Sequence, residues 1–155
     1  MVRWLDDDEQ TTWQAYIRLR QRMDSALAAG LAGDGVSAPD YEVLVALSQA
    51  PDDRLRARDL GAEICWDKSR LSKHLARMAA RGLVERTPAA DDARGVLVCL
   101  TAHGREVLQR AAPNHVELVR RLFIDEMSDE EVKALRSLAD RVSAAAEERS
   151  EVDLG

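Results

Sequence analysis

Cysteine is scarce in this sequence: Cys65 and Cys99 are its two, which sets up no disulfide framework and makes a reducing cytoplasm the expected location. No apolar run approaches the roughly 20 residues needed to span a bilayer, so no membrane association is expected. The opening MVRWLDDDEQ carries three consecutive acids and no apolar stretch of the kind a secretory signal requires. There is no glycine-rich phosphate loop and no nucleophile elbow. His74, His103 and His115 fall on separate elements, without metal-ligand partners at helical spacing, and Cys65 and Cys99 flank no paired Cys or His. The expectation is therefore a non-enzyme with no cofactor, no metal and no catalytic residues. Repeats and low-complexity linkers are missing too, and 155 residues suit one domain.

What the sequence does have is charge, unevenly spread. The net charge is −6, yet between Arg54 and Arg94 ten basic side chains face six acidic ones, so this window is +4 and the remainder −10. Segregation of this kind suits a basic surface that meets a polyanion on a body kept soluble by acids. A solvated helix face would account for it equally well on charge alone.

The periodicity is mostly helical. Asp6 and Glu9 form a capping box before a helix whose Trp13, Tyr16, Ile17, Met23, Leu27 and Leu31 share one face, with Arg20 inside that stripe. Gly33-Asp34-Gly35 breaks it. Ser37 caps a second helix, with Pro39 in its first turn and Tyr41, Leu44 and Leu47 on its apolar side. A short helix bearing Ala57, Leu60 and Ile64 leads through Cys65–Trp66–Asp67 into another that Asp67 caps, and Gly82 marks its end. The period then changes to that of two strands, 83–87 and 96–101, joined by the polar loop PAADDARG as a hairpin tip. Thr101 caps a long helix that Pro113 should interrupt, Ser128 and Glu131 box the start of a last one, and 148–155 is a polar tail.

The fourth helix, within WDKSRLSKHLARM, carries the functional signal. Leu71, Leu75, Met78 and Ala79 make its apolar stripe. Ser69, Lys73, Ala76, Arg77 and Ala80 face away, with Arg70, His74 and Arg81 along one flank and no acid after Asp67. Small and basic side chains are what a helix needs to approach a major groove and reach bases and phosphates. A merely solvated helix would mix in Glu for i,i+4 pairs. Arg94 at the hairpin tip suits a minor groove, Asp92 is placed to hold its direction, and Arg86 at the hairpin base suits a phosphate.

These residues carry a resemblance. Leu60, Ile64, the run Asp67–Ser72, Leu75, Gly82-Leu83-Val84 and Arg86, followed by Asp92-x-Arg94 and Leu100-Thr101, resemble the MarR (multiple antibiotic resistance regulator) family of bacterial transcription factors. The wing signature Asp-x-Arg with Leu-Thr is the more specific part, and the order of the flanking helices extends the resemblance over nearly the whole chain. It implies a mainly α fold with a small β-hairpin wing: a winged helix-turn-helix over 37–100, flanked by dimerisation helices at 6–32 and 101–147. It further implies a homodimer that binds a pseudo-palindromic operator in double-stranded DNA as a repressor. Lys68, Ser69, Arg70, Ser72, Lys73, His74 and Arg77 would serve the major groove, Arg86 the backbone and Arg94 the minor groove. The wide apolar stripes of the terminal helices, hard for a 155-residue monomer to cover, agree with dimerisation.

The resemblance also implies a pocket for a small, anionic aromatic effector. Arg20 is the candidate for meeting it, since a cation within an apolar stripe needs a partner. A salt bridge, or a side chain snorkelling to solvent, is the plainer reading of Arg20. Relatives that sense hydroperoxides carry a cysteine in the first helix, where this chain has none; Cys65 and Cys99 read as small core residues. The alternative to a DNA reader is a winged-helix module that binds protein, which would call for apolar anchors on the outward face.

Overall fold

The chain is described by a computed structural model covering residues 1–90 and 92–152, with the backbone alone for Asp92, Ala93 and 150–152. Local hydrogen bonding sets most element boundaries. Helix α1 (Asp7–Gly33) starts where the Asp6 carboxylate accepts the Glu9 N–H at 2.8 Å and the Glu9 carboxylate accepts the Asp6 N–H at 3.1 Å. It ends where Gly35, at φ 78°, lets the Val36 N–H fold back on the Leu31 carbonyl at 3.1 Å. Ser37 then caps α2 (Ala38–Gln49) by accepting the Asp40 N–H at 3.1 Å. A 3-10 turn, Pro51–Asp53, leads into a three-residue strand, β1 (Arg54–Arg56), which is too short to leave a period in the sequence.

Helices α3 (Ala57–Glu63) and α4 (Lys68–Ala80) follow, and the Asp67 carboxylate accepts the Arg70 N–H at 2.9 Å at the start of α4. Gly82, at φ 72°, closes α4 as the Leu83 N–H reaches the Met78 carbonyl at 3.0 Å. The wing consists of β2 (Val84–Ala89) and β3 (Asp92–Leu100), and the antiparallel sheet runs in the order β1-β3-β2. Both wing strands are longer than their sequence suggests. Pro88 pairs with Val96, beside an irregularity between Pro88 and Ala89. Because β2 is an edge strand, proline's missing N–H breaks no second ladder. Arg94, expected at a loop tip, consequently sits within β3.

The Thr101 hydroxyl lies 2.6 Å from the Gly82 carbonyl oxygen and accepts the Gly104 N–H at 2.9 Å, tying the end of α4 to the start of α5 (Ala102–Val119). Helix α5 runs on through Pro113, and a π turn, Arg120–Ile124, follows it. Helix α6 (Asp129–Val152) opens on the reciprocal pair Ser128 and Glu131. The chain forms two compact units, Met1–Leu118 and the segment from Val119 onward. Among the described residues no helix is long and apolar enough to cross a membrane.

The core of the first unit joins Leu44 and Leu47 of α2, Leu60 of α3, Leu75 and Met78 of α4, Val84 and Val98 of the wing, and Val107 and Ala111 of α5. Gly104 is required where α5 meets the wing base: a Cβ there would collide with the Leu83 backbone oxygen, which cannot swing aside. Gly104→Ala is expected to lower stability by about 2 kcal/mol, within the usual cost of overpacking. Urea denaturation would check this; an unchanged midpoint would mean the wing base yields freely.

Candidate nucleic-acid interface

The short α3, the turn at Cys65–Trp66–Asp67 and α4 form a helix-turn-helix. Its turn is made by Cys65 in the left-handed region (φ 56°) and by the Trp66 N–H on the Gly61 carbonyl at 2.9 Å. Cys65 is exposed, so it is not the small core residue the sequence suggested, and Cys99 is half-buried. Leu71, Leu75 and Met78 anchor α4 from below, which leaves Lys68, Ser69, Arg70, Ser72, Lys73 and Arg77 exposed together on its other side. The Arg70 guanidinium lies 3.8 Å from the centroid of the buried Trp66 ring.

His74 departs from the expected surface. It is only 8% exposed, because positions 71, 74, 75 and 78 share the face that packs inward. Its Nε2 lies 2.9 Å from Asp40 Oδ1 on α2, an approach too bent for a good hydrogen bond and therefore mainly electrostatic, while its Nδ1 is 3.1 Å from Arg77 Nη2. Its ring meets Trp66 edge-on at 5.2 Å. Asp40 itself is 2% exposed and accepts two bonds from Arg81, each of 2.7 Å. This pair joins α2 to the C-terminal end of α4.

Burial by itself would push the Asp40 carboxyl up, but hydrogen bonds from Arg81 and Ser37, with the charges of Arg81 and His74, hold it below its usual 3.8. Burial holds His74 below 6.5; the Asp40 charge and contact pull it upward, and the Arg77 and Arg81 charges push it down again. Burial likewise lowers His115, whose ring stacks 4.5 Å from that of Tyr41. The unfolded chain takes up both histidine protons near 6.5 and the folded chain only at lower pH. The stability these groups contribute is therefore complete above pH 6.5 and declines as the pH falls through the folded values. The urea midpoint is expected to drop between pH 7.5 and 5.5, and a flat midpoint across that window would contradict this burial.

The wing supplies further cations. Exposed Arg86 on β2 and Arg94 on β3 line a groove of about 570 Å³ between the wing, α3 and α4. Arg56, Arg58 and Lys68 share that groove, and among the described residues no carboxylate does. Its floor includes Trp66, Leu71, Leu75 and Val96. Arg56 and Arg58 were visible in the sequence only as part of a charge count, since β1, which carries Arg56 beside the wing, was not foreseen. The expected support of Arg94 by the Asp92 side chain lies outside the described residues. Arg20 does not line this groove; it is exposed on α1, 6.0 Å from the Tyr16 ring, in keeping with a solvated side chain.

A helix-turn-helix with a cationic second helix, followed by a two-stranded wing bearing exposed arginines, defines a winged helix-turn-helix protein. A MarR family sequence profile matches residues 34–95. The structure is similar to that of AbsC, a MarR family transcriptional regulator from Streptomyces coelicolor. That match has a TM-score of 0.89 and 36% identity, over 94% of this chain and 99% of AbsC. It is also similar to Sco3205, a MarR family regulator from the same organism solved in complex with DNA. Here the TM-score is 0.88, with 34% identity over 93% of this chain and 91% of that one. The HTH-type transcriptional repressor YetL of Bacillus subtilis is 28% identical over 128 residues, 81% of this chain and 77% of YetL. The chain belongs to the MarR family of transcriptional regulators.

Proposed function

We propose that this chain is a sequence-specific double-stranded DNA-binding regulator, a homodimeric repressor that occludes a pseudo-palindromic operator in the cytoplasm and performs no catalysis. The observation that carries this reading is the outward face of α4. Ser69, Arg70, Ser72, Lys73 and Arg77 are exposed together there, with no carboxylate from Lys68 to Ala80, and Arg86 and Arg94 stand on the adjoining wing. That face has no apolar anchor, which disfavours a protein-binding module. In this reading α4 enters the major groove, Arg94 the neighbouring minor groove, and Arg86 meets a phosphate. Dimerisation draws support from exposed apolar side chains on the terminal helices: Trp13, Tyr16 and Leu19 on α1, and Leu135, Leu138 and Val142 on α6.

The test is selection from random-sequence duplexes, followed by titration of the recovered site at several salt concentrations with the wild type and Arg94→Ala. Enrichment of an inverted repeat, with binding that falls steeply with salt and is weakened by the substitution, is the expected result. Failure to enrich any sequence, with weak binding even at low salt, would refute the reading.

A further inference from the structure

Beneath the exposed face of α4 lies a buried polar cluster that DNA contact does not account for. Asp40 from α2, Trp66 from the α3–α4 turn, Arg77 from α4 and Arg81 at its C-cap are the charged, titratable and aromatic groups that meet the His74 ring. A guanidinium can only donate, so the Arg77 Nη2 contact at 3.1 Å requires His74 Nδ1 to be the bare, accepting nitrogen. The ring proton then sits on Nε2, the atom that faces Asp40 Oδ1 at 2.9 Å. Two 2.7 Å bonds from Arg81 hold Asp40 in place, and Trp66 limits the plane of the ring.

We propose that His74 is a positioning residue for DNA recognition: neutral and oriented by Asp40, it holds the exposed Arg77 guanidinium through one N–H and leaves the remaining donors for DNA. This rests on the reading of α4 as the helix that meets DNA. The order Asp40–His74–Arg77 runs from the core to the surface, so a group fixed by packing dictates the aim of one that is not. Protonation at Nδ1 would turn the acceptor into a donor and set two like charges 3.1 Å apart. The one carboxylate at the ring, Asp40, favours the added proton, but Arg81 already engages it and both Arg77 and Arg81 repel the new charge. Arg77 would then lose its support, and the helix part of its preorganisation.

A double-mutant cycle on the full chain tests this, with binding to the selected operator followed by fluorescence anisotropy at pH 7.5 and 5.5 and folding checked by thermal melts. Arg77→Ala is expected to weaken binding by about tenfold, as loss of one good contact does. His74→Leu should cause most of that loss by itself and add little in the Arg77→Ala background. His74→Asn, whose side-chain oxygen can stand where Nδ1 was and does not titrate, should recover affinity and flatten its acid decline. Wild-type binding should weaken between pH 7.5 and 5.5, and Arg77→Ala should lose no comparable increment.

An equal loss from His74→Leu with and without Arg77 would show that His74 acts through folding alone and would overturn the proposal. So would Arg77→Ala binding as well as the wild type. Should His74→Leu not fold, His74→Gln takes its place in the cycle, since its amide reaches the Nε2 position rather than that of Nδ1, and an equal loss with and without Arg77 excludes the coupling. A wild type that binds no selected site at pH 7.5 refutes the DNA reading itself and this inference with it; a wild type that binds normally, with uncoupled variants, refutes only the inference.

Discussion

Arg81→Ala is expected to lower folding stability by about 3 kcal/mol, the low end of what breaking a buried ion pair costs. The reason lies with the partner left behind. Asp40 is 2% exposed, and in the variant its carboxylate would stay under α4 without the two 2.7 Å bonds that now satisfy it. Half the Arg81 side chain is exposed, so water can partly replace it, and this sets the figure at the low end. For a chain of this size the loss corresponds to a Tm lower by about 8 °C. The control is Arg3→Ala: the Arg3–Glu9 pair is 2.9 Å long but solvent-exposed, and its removal should change stability by less than about 0.5 kcal/mol. Similar melts for the two variants would refute the assignment of Asp40–Arg81 as a structural tie between α2 and α4.

The second large effect concerns DNA. Arg70→Glu combined with Lys73→Glu is expected to reduce operator affinity at least about a hundredfold near 150 mM salt, since each reversal removes a cation and adds a charge that phosphate repels. Both side chains are exposed on α4, and in a dimer each change is made twice. The plot of log affinity against log salt should become shallower by about 2 or more, as phosphate contacts are lost. Folding should be nearly spared. Lys73 is exposed, and Arg70 gives up its stacking on Trp66, of the order of 1 kcal/mol. Anisotropy titration with parallel melts checks both halves, and a folded variant that retains operator affinity would exclude this face from DNA contact.

Much of this was legible because the causes are local. The capping groups Asp6, Ser37, Asp67, Thr101 and Ser128 each meet a backbone N–H three residues on, within the reach of sequence pattern alone. Gly35 and Gly82 occupy the left-handed region that stops a helix. The buried stripe of α4 was equally legible and even contained the missed signal. His74 sits three residues after Leu71 and four before Met78, a spacing that places it inward; setting it on the outward flank with Arg70 and Arg81 missed this. Strand extent was harder to read, since Pro88 is tolerated only because β2 is an edge, and being an edge belongs to the sheet.

The amino-acid sequence by itself determined the helix starts and stops, the apolar faces and the concentration of small and basic residues on α4, all set by contacts a few positions apart along the chain. Tertiary structure alone decided that Asp40 meets Arg81, 41 residues away, that β1 brings Arg56 beside the wing, and that His74 links the core to Arg77. Those outcomes depend on which surfaces pack together. Packing selects among polar partners by burial and distance, and neither quantity is written in the local order of residues.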